Sequence, residues 1–377
     1  MKITYLTTYD SENIENWSGL GYYIKLALKN QGYDIEAIHA ELKNENNLYK
    51  SIKILSRILG KGRLDWNREP FVIKDYCHIL MKQTSKNTDI FFSPGSPVFS
   101  FFETEKPKVF YTDATFGGML DLYPSFSQLS QHAINNGNFL EQLALDNCSL
   151  ALYASEWAAN TAIKKYNINQ EKVKVIPFGA NLENKFTFFE IKDSIKKKLN
   201  DKVCRLLFIG VEWERKGGEK AVQVAKLLNE MGLRTELYVV GVKNLPSEQP
   251  EYVKNIGFIS KRTVNGYLQI VKLYIESHFF IMPSMAEAFG VVFSEASSFG
   301  VPSISHDIGG IPSAVYNNIN GKLFKIDSEA EQMAQYVFNV FGTSEYEKLS
   351  LSSYNTYKTL LNWEVAGSKI NNYLKEI

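Results

Sequence analysis

Two glutamates flank a glycine in the stretch that follows an apolar run at residues 279–282. Glu287 and Glu295 are eight residues apart, and Gly290 lies between them. We predict that Gly290 opens a helix, whose N-terminus offers free N–H groups and a positive dipole end that suit a phosphate. Carboxylates beside it can accept hydrogen bonds from sugar hydroxyls. Each glutamate alone is typical of a solvated surface, but together, next to Phe289, they predict a site for a phosphorylated sugar.

A second cluster combines two cations with two glycines. Arg215, Lys216, Gly217 and Gly218 are consecutive, and they lie between a predicted strand and a predicted helix. Adjacent basic side chains at a helix N-terminus can neutralise a diphosphate. The alternative is a loop that begins a helix and carries two solvated cations.

Two further features lie in the first half of the chain. Gly19 and Gly21 follow the first predicted strand, and glycine lets the backbone approach a ligand closely. A dinucleotide fingerprint needs a third glycine where this chain has Ile24, which disfavours a nicotinamide oxidoreductase. Asp113 ends a predicted strand, where it could orient a hydroxyl or stabilise developing positive charge. The alternative is that Asp113 caps the next helix.

The elements that must position these residues alternate along the chain in two series. Short apolar runs alternate with amphipathic stretches, which is typical of parallel sheets covered by helices. The predicted strands are 3–7, 34–39, 88–93, 108–113, 149–155, 172–177, 204–210, 235–241, 252–258, 279–283, 302–306 and 323–326. The predicted helices are 19–30, 47–59, 67–84, 127–146, 156–166, 217–231, 263–275, 294–299 and 328–341. We therefore predict an α/β protein with two Rossmann-like domains, whose ligands bind beyond the carboxyl ends of the strands.

Composition removes several classes of protein. The 377 residues carry 42 Lys+Arg and 41 Asp+Glu, a formal net charge of +1, which argues against a nucleic-acid partner. Cys77, Cys148 and Cys204 have no zinc spacing and predict no disulfide framework. The N-terminus shows no signal-peptide pattern, so we expect a reduced, cytoplasmic protein. Since there is no Asp-x-Asp motif and no metal-spaced cluster, we expect no metal ion and no other cofactor.

The stretch around Glu287 and Glu295 resembles the hallmark of the retaining glycosyltransferases of family 4, which have the GT-B fold. Its spacing within Ala-Glu-Ala-Phe-Gly-Val-Val-Phe-Ser-Glu-Ala carries the resemblance. The resemblance implies that Glu287 contacts the donor sugar and that Glu295 binds the nucleotide ribose. It also implies that the sugar and the phosphates are reached by the segment Phe289, Gly290, Val291 and Val292.

Three other segments resemble the same family. The loop with Arg215 and Lys216 resembles the donor-diphosphate loop, but Val211 stands where many members have an arginine, so Lys216 is the stronger candidate. The loop with the first-half glycines is similar to a small-residue loop that approaches the donor phosphates. Asp113 stands where many members have a histidine near the donor sugar and the acceptor, which implies a catalytic position.

These features predict a retaining glycosyltransferase that moves a hexose-type sugar from a nucleotide-diphosphate sugar to a hydroxyl of a glycan or a lipid-linked acceptor. The resemblance implies two Rossmann-like domains whose parallel sheets face each other across a cleft. Residues 1–180 would bind the acceptor and residues 181–359 the donor, and a helix at about 360–377 would pack back on the first domain. It also implies a front-face displacement in which the leaving phosphate accepts the acceptor's proton.

Two other readings of the same motifs stay open on sequence alone. Another GT-B enzyme, such as a nucleotide-sugar epimerase or a phosphorylase, would differ in how its turnover depends on an acceptor. A non-catalytic protein would bind the nucleotide sugar without turning it over.

A basic amphipathic segment runs from Lys50 to Arg63. It carries five cations and no acid, and Ile52, Leu55 and Leu59 recur at helical spacing. A helix of this kind can lie on an anionic membrane surface. The segment is compatible with peripheral contact with the inner face of the cell membrane. It is equally compatible with the alternative, a helix that packs on the core with a solvated basic face.

Overall fold

The computed structural model describes residues 1–41, 44–243, 245 and 248–377. The chain divides into two compact units, which we call the first unit and the second unit. The first unit comprises Met1–Pro177 together with Ala366–Ile377, and the second comprises Phe178–Val365. Each unit contains a six-stranded sheet whose neighbouring strands are all parallel.

The first sheet has the strand order β2-β1-β3-β4-β5-β6. Its strands are β1 (Lys2–Thr7), β2 (Asp34–His39), β3 (Ile90–Ser93), β4 (Lys108–Thr112), β5 (Leu150–Tyr153) and β6 (Val173–Val175). The helices between them are α1 (Leu20–Asn30), α2 (Asn47–Ile58), α3 (Pro70–Gln83), α4 (Phe116–Leu122), α5 (Gln131–Asn147) and α6 (Glu156–Lys165). All five residues of β4 are buried, since a parallel strand covered by helices on both faces has no solvent side.

The second sheet has the strand order β12-β11-β10-β7-β8-β9. Its strands are β7 (Cys204–Ile209), β8 (Thr235–Val240), β9 (Val253–Gly257), β10 (Phe279–Ile281), β11 (Ser303–His306) and β12 (Gly321–Phe324). Its helices are α7 (Phe188–Lys198), α8 (Gly218–Glu230), α9 (Val264–Glu276), α10 (Val291–Ser298), α11 (Ala330–Val340) and α12 (Ser344–Thr359). This order is that of a doubly wound sheet.

The order of the second sheet reverses beside β7, whose two neighbours are β8 and β10. Ligands of open parallel sheets bind outside the carboxyl ends of the strands at such a reversal. The loops that follow β7 and β10 are therefore the segments in the second unit that this topology brings together.

The predicted α/β architecture with two parallel, Rossmann-like sheets is confirmed. Every predicted strand occurs, with ends that differ by no more than two residues, whereas α4, α7 and α12 were not predicted. Helix α7 lies in a Lys-rich stretch between the two predicted series of strands, where we predict no helix. Its signal is the capping box of Thr187 and Glu190, and it packs on the core through Ile191 and Ile195. Helix α10 begins at Val291, directly after Gly290, which confirms that this glycine opens a helix. The range 294–299 predicted for the helix began three residues too late.

The last helix, α13 (Trp363–Leu374), places most of its length in the first unit. A Cβ on Gly367 would lie 3.0 Å from the carbonyl oxygen of Ala27 in α1, so the two helices approach closely at this glycine. The hydroxyl of Tyr33 donates a hydrogen bond of 2.8 Å to Asn371. The end of the chain is therefore part of the first unit's packing.

Candidate functional site

The loops after β7 and β10 are in direct backbone contact. The amide of Met285 donates a hydrogen bond of 2.8 Å to the carbonyl of Arg215. Gly217 has a φ of +76°, and a Cβ there would lie 2.1 Å from the carbonyl oxygen of Pro283. Only glycine fits this position, because both the left-handed backbone and the close approach exclude a side chain.

A prediction about stability follows from this contact. We expect Gly217→Ala to lower the free energy of unfolding more than Gly232→Ala does, by about 1 to 2 kcal/mol. Gly232 is a matched control, since its φ is +86° but a Cβ there would have nothing within 4 Å. Denaturant unfolding of the two variants gives the difference, and equal losses would contradict the steric role of Gly217.

The joined loops bring Glu287 to the two cations that sequence analysis singled out. The Glu287 carboxylate makes a direct ion pair with the ammonium of Lys216, and Nη1 of Arg215 lies 3.6 Å from Glu287 Oε2. The side chains of Lys216 and Glu287 are 13% and 11% exposed, so their attraction is screened little by water. The predicted candidates Glu287, Lys216 and Arg215 therefore form one cluster.

Arg215 is held more rigidly than Lys216. Its guanidinium donates to both carboxylate oxygens of Glu212, at 2.7 and 2.9 Å, and to the carbonyl of Ala286 at 2.7 Å. The hydrogen bond from Arg215 lowers the pKa of Glu212, which is therefore ionised at neutral pH. Glu212 offsets part of the Arg215 charge, whereas Lys216 is the cation that Glu287 contacts most directly.

The first turn of α10 lies beside Glu287. Gly290 precedes it with a φ of +82°, and among the described residues no side chain caps this turn. A Cβ on Gly290 would lie 3.2 Å from Cγ of Glu287, so the glutamate packs against the bare backbone. The amides of Val291 and Val292 therefore belong to an uncapped helix N-terminus, which is suited to an anion.

Glu295 lies inside α10 and is fully buried. Its Oε1 is 2.5 Å from the ammonium of Lys261, and its Oε2 accepts a hydrogen bond of 3.0 Å from the hydroxyl of Tyr274. Burial, and next the charge of Glu295, raises the pKa of Tyr274 well above its usual value, so the phenol stays protonated. Sequence analysis missed both partners, because neither Lys261 nor Tyr274 belongs to a recognisable motif. A ribose that bound to Glu295 would compete with the Lys261 ammonium for the same carboxylate.

Phe289 is a packing residue. Its ring is 1% exposed and meets the ring of Phe178 edge to face, with the centroids 5.3 Å apart. Its side chain fixes the segment from Glu287 to Gly290, and only its backbone remains for a ligand.

The glycines of the first unit lie in an unusual turn. Trp17 and Ser18 have φ values of +46° and +55°, and Gly19 continues the left-handed path at +84° into α1. A Cβ on Gly21 would lie 2.6 Å from the hydroxyl oxygen of Tyr9. Gly21 is therefore needed for the packing of Tyr9, a residue that sequence analysis did not consider.

Asp113 follows β4 and is half-buried. The alternative that it caps the next helix is wrong, because Thr115 is the cap of α4 and accepts a hydrogen bond of 3.0 Å from the amide of Gly118. Burial and, secondarily, the charge of Asp113 raise the pKa of Tyr9, which places these two side chains in the same neighbourhood.

Within the described ranges, no group of three or more His, Cys, Asp or Glu side chains is arranged to hold a metal ion. The three cysteines are free thiols, and all are buried.

Comparison with known proteins bears on this site. Residues 189–349 match the family described as glycosyl transferases group 1. The amylovoran biosynthesis glycosyltransferase AmsK of Erwinia amylovora is 23% identical over 223 residues, which cover 55% of this chain and 51% of AmsK. The chain spans about half the length of the curated relatives it matches.

Two solved structures resemble the whole chain. A glycosyltransferase from Rickettsia africae has a TM-score of 0.66 at 18% identity and covers 100% of this chain and 98% of its own. Anabaena HepE, solved in complex with UDP-glucose, has a TM-score of 0.63 at 15% identity and covers 100% of both chains.

The fold is therefore that of the GT-B glycosyltransferases. Residues 189–349, which contain the cluster of Lys216, Arg215 and Glu287, are similar to the glycosyl transferases group 1 family.

Proposed function

We propose that this protein is a retaining glycosyltransferase of the family 4 type, and that its second unit binds the donor, a nucleotide-diphosphate sugar. The observation that carries the proposal is the cluster of Lys216, Arg215 and Glu287 beside the uncapped start of α10. Two cations and a helix N-terminus suit a diphosphate, and a carboxylate suits sugar hydroxyls. The match of residues 189–349 to the group 1 family and the likeness to a structure solved with UDP-glucose support the same ligand class.

The residues divide the work of transfer between them. Lys216, Arg215 and the amides of Val291 and Val292 stabilise the charge that develops on the leaving diphosphate. Glu287 accepts hydrogen bonds from the sugar, and Glu295 takes the ribose. The bond from the anomeric carbon to the leaving phosphate breaks while the bond to the acceptor oxygen forms on the same face. The acceptor's proton passes to the leaving phosphate, so no separate strong base is needed.

We propose that the transfer needs no metal ion, since Lys216 and Arg215 supply positive charge where the diphosphate leaves. Activity that is unchanged after dialysis against a chelator is the expected result. A loss that added Mg²⁺ or Mn²⁺ restores would overturn this part of the proposal.

We further propose that the acceptor is a hydroxyl of a bacterial cell-surface glycan or glycolipid and that the transferred sugar is a hexose. The relative named for amylovoran biosynthesis supports this class of product. In the first unit, Asp113 orients the acceptor hydroxyl, and the backbone at Gly19 and Gly21 allows a close approach.

A panel of UDP-, GDP-, ADP- and dTDP-sugars in a thermal-shift assay tests the donor proposal. A ligand at 100 times its dissociation constant adds about 2.7 kcal/mol of stability. We expect one nucleotide class to raise the melting temperature of the wild type and of Lys226→Met, a control on the exposed face of α8, but not of Lys216→Met. If no nucleotide sugar shifts the wild type, the proposed donor site is wrong.

Turnover distinguishes transfer from the other functions of this fold. We expect free nucleotide to be released only when an acceptor pool is present. Turnover without an acceptor would indicate an epimerase or a phosphorylase, and donor binding without turnover in any pool would indicate a binding protein. Binding of NAD(H) in place of nucleotide sugars would indicate an oxidoreductase.

Helix α2 favours a second partner, an anionic membrane surface. Helix α2 buries only Tyr49, which packs with Trp66 and Val72, so most of its apolar side chains are left out of the core. Its apolar side chains are exposed, with Ile58 75% and Ile54 59% accessible, and Lys50 and Arg57 lie among them. None of the helices in the described ranges is long and apolar enough to cross a bilayer. We propose that α2 lies on the membrane surface.

Vesicle co-sedimentation tests the membrane proposal. Each cation near an anionic surface contributes about 1 kcal/mol, so the double variant Lys50→Gln/Arg57→Gln is expected to bind phosphatidylglycerol vesicles about 30-fold more weakly. Lys226→Gln on α8 is the control and is expected to bind as the wild type does. Equal sedimentation of all three proteins, or equal binding to pure phosphatidylcholine, would contradict an electrostatic membrane contact.

A further inference from the structure

A buried carboxyl group that the proposed mechanism does not use lies in the first unit. Glu141 is in the middle of α5 and is 5% exposed. Its Oε2 accepts a hydrogen bond of 2.8 Å from the hydroxyl of Ser96. Its Oε1 is buried and makes no hydrogen bond of good geometry with the described residues, although the backbone N–H of Phe116 lies close enough to lower the pKa of the carboxyl group. A buried carboxyl oxygen that is this poorly satisfied calls for an explanation.

Glu141 lines a cavity of 110 Å³ at the carboxyl ends of β3 and β4. This volume accommodates several water molecules or a short polar substituent of a ligand. Thr112 and Ala114, the two neighbours of Asp113 in the chain, are also part of its wall. The cavity therefore opens beside the residue that we propose to orient the acceptor hydroxyl.

The other lining residues define what the cavity can take. Arg68 contributes a guanidinium that is held by Asp65 at 2.8 Å and lies over the ring of Phe116. An anion in the cavity would be repelled by an ionised Glu141, and a cation would be repelled by Arg68. A neutral hydroxyl satisfies both, because it can donate to the carboxyl group and accept from the guanidinium.

The remaining wall suits the C–H surface of a sugar. Phe116, Met119 and Leu140 are apolar, and Pro97 closes the same side. Pockets that combine apolar walls with a few convergent polar groups are typical of small-molecule sites. The chemistry that fits is a neutral, hydroxyl-bearing edge of a pyranose.

We propose that this cavity is a specificity pocket of the acceptor site, in which Glu141 and Ser96 hold one hydroxyl group of the acceptor sugar. The inference rests on the proposed transferase function. Glu141 is a binding residue in this proposal, and Asp113 acts on the reacting hydroxyl.

Binding of methyl hexosides, followed by saturation-transfer NMR, tests the pocket without knowledge of the natural acceptor. The probes are the methyl glycosides of glucose, galactose and mannose and their mono-deoxy analogues. For the hexoside that binds the wild type, we expect one mono-deoxy analogue to bind about 10-fold to 100-fold more weakly, since removal of the hydroxyl leaves buried polar groups of the pocket without a partner.

Variants of the pocket give the decisive comparison. In Glu141→Leu the hexoside and that deoxy analogue are expected to bind equally, whereas Ser127→Ala, on the surface of the same unit, is expected to keep the wild-type difference. Glu141→Gln and Ser96→Ala change the size of the side chain little, so they keep the test valid if the leucine variant does not fold. Each is expected to reduce the difference in binding between the hexoside and its deoxy analogue. An unchanged difference in these variants, or no hexoside binding to the wild type, would overturn the proposal. Thermal shifts with nucleotide sugars report on the second unit. They therefore show independently whether the proposed donor site is wrong.

Discussion

Lys216→Met is expected to lower kcat for sugar transfer by about 100-fold to 1000-fold. This is the loss that follows when one preorganised group that stabilises developing charge is removed from an active site. Lys216 is 13% exposed and contacts Glu287 directly, so its charge is poorly screened and accurately placed. Methionine retains the length and the apolar stem, which limits the change to the ammonium.

Steady-state kinetics with a fixed donor and acceptor measure this effect. Lys220→Met is the matched control. Lys220 lies in the adjacent helix α8, where its ammonium donates a hydrogen bond to the carbonyl of Ser328. We expect kcat of this variant to stay within about threefold of the wild type. If Lys216→Met raised KM and left kcat unchanged, Lys216 would bind the donor without stabilising the transition state.

Glu141→Gln is expected to remove about 3 kcal/mol of the pH dependence of folding stability between pH 5 and pH 8. Burial raises the pKa of Glu141 to about 7 in the folded protein, although its hydrogen bond to Ser96 lowers it. The usual glutamate pKa of 4.5 applies in the unfolded chain. Between these values the folded state retains a proton that the unfolded state has lost, so stability falls as the pH rises and levels off above pH 7.

Denaturant unfolding at a series of pH values measures this difference. Lys198 acts in the opposite direction, because burial lowers its pKa to about 7 and its folded state gains stability as the pH rises above that value. The difference between Glu141→Gln and the wild type therefore isolates Glu141, while Glu105→Gln, at an exposed glutamate of the same unit, serves as a control. Parallel pH profiles for Glu141→Gln and the wild type would show that Glu141 titrates normally.

The positions of the strands could be predicted from the sequence, because a strand buried on both faces is a continuous apolar run. The four-residue core strand β3 and the fully buried β4 show this most plainly. Lys216 and Glu287 could also be selected as site candidates from the sequence, because each lies in a loop between a strand and a helix, and the two strands belong to the same sheet.

Other parts of the site depend on contacts that no local pattern encodes. Lys261 precedes α9 and Tyr274 lies within it, and the fold brings both to Glu295 of α10 from positions distant in the chain. Neither residue carries a spacing signal. Glu141 looks like a solvent-facing charge in an amphipathic helix until the fold places Ser96 against it. Helix α7 was missed because its lysines, at 192 and 196–198, obscured the buried pair of isoleucines.

The ion pair between Glu287 and Lys216 has a consequence for ligand discrimination. In the free protein the Glu287 carboxylate already neutralises Lys216. A small inorganic anion would therefore have to displace a carboxylate of the same chain, which is present at high effective concentration. A nucleotide sugar brings hydroxyl groups for Glu287 at the same time as phosphate oxygens for Lys216, and both charges keep a partner. We therefore expect the ion pair to weaken the binding of chloride and free phosphate. A ligand that carries both hydroxyl groups and phosphate oxygens can replace the ion pair without leaving either charge unpaired.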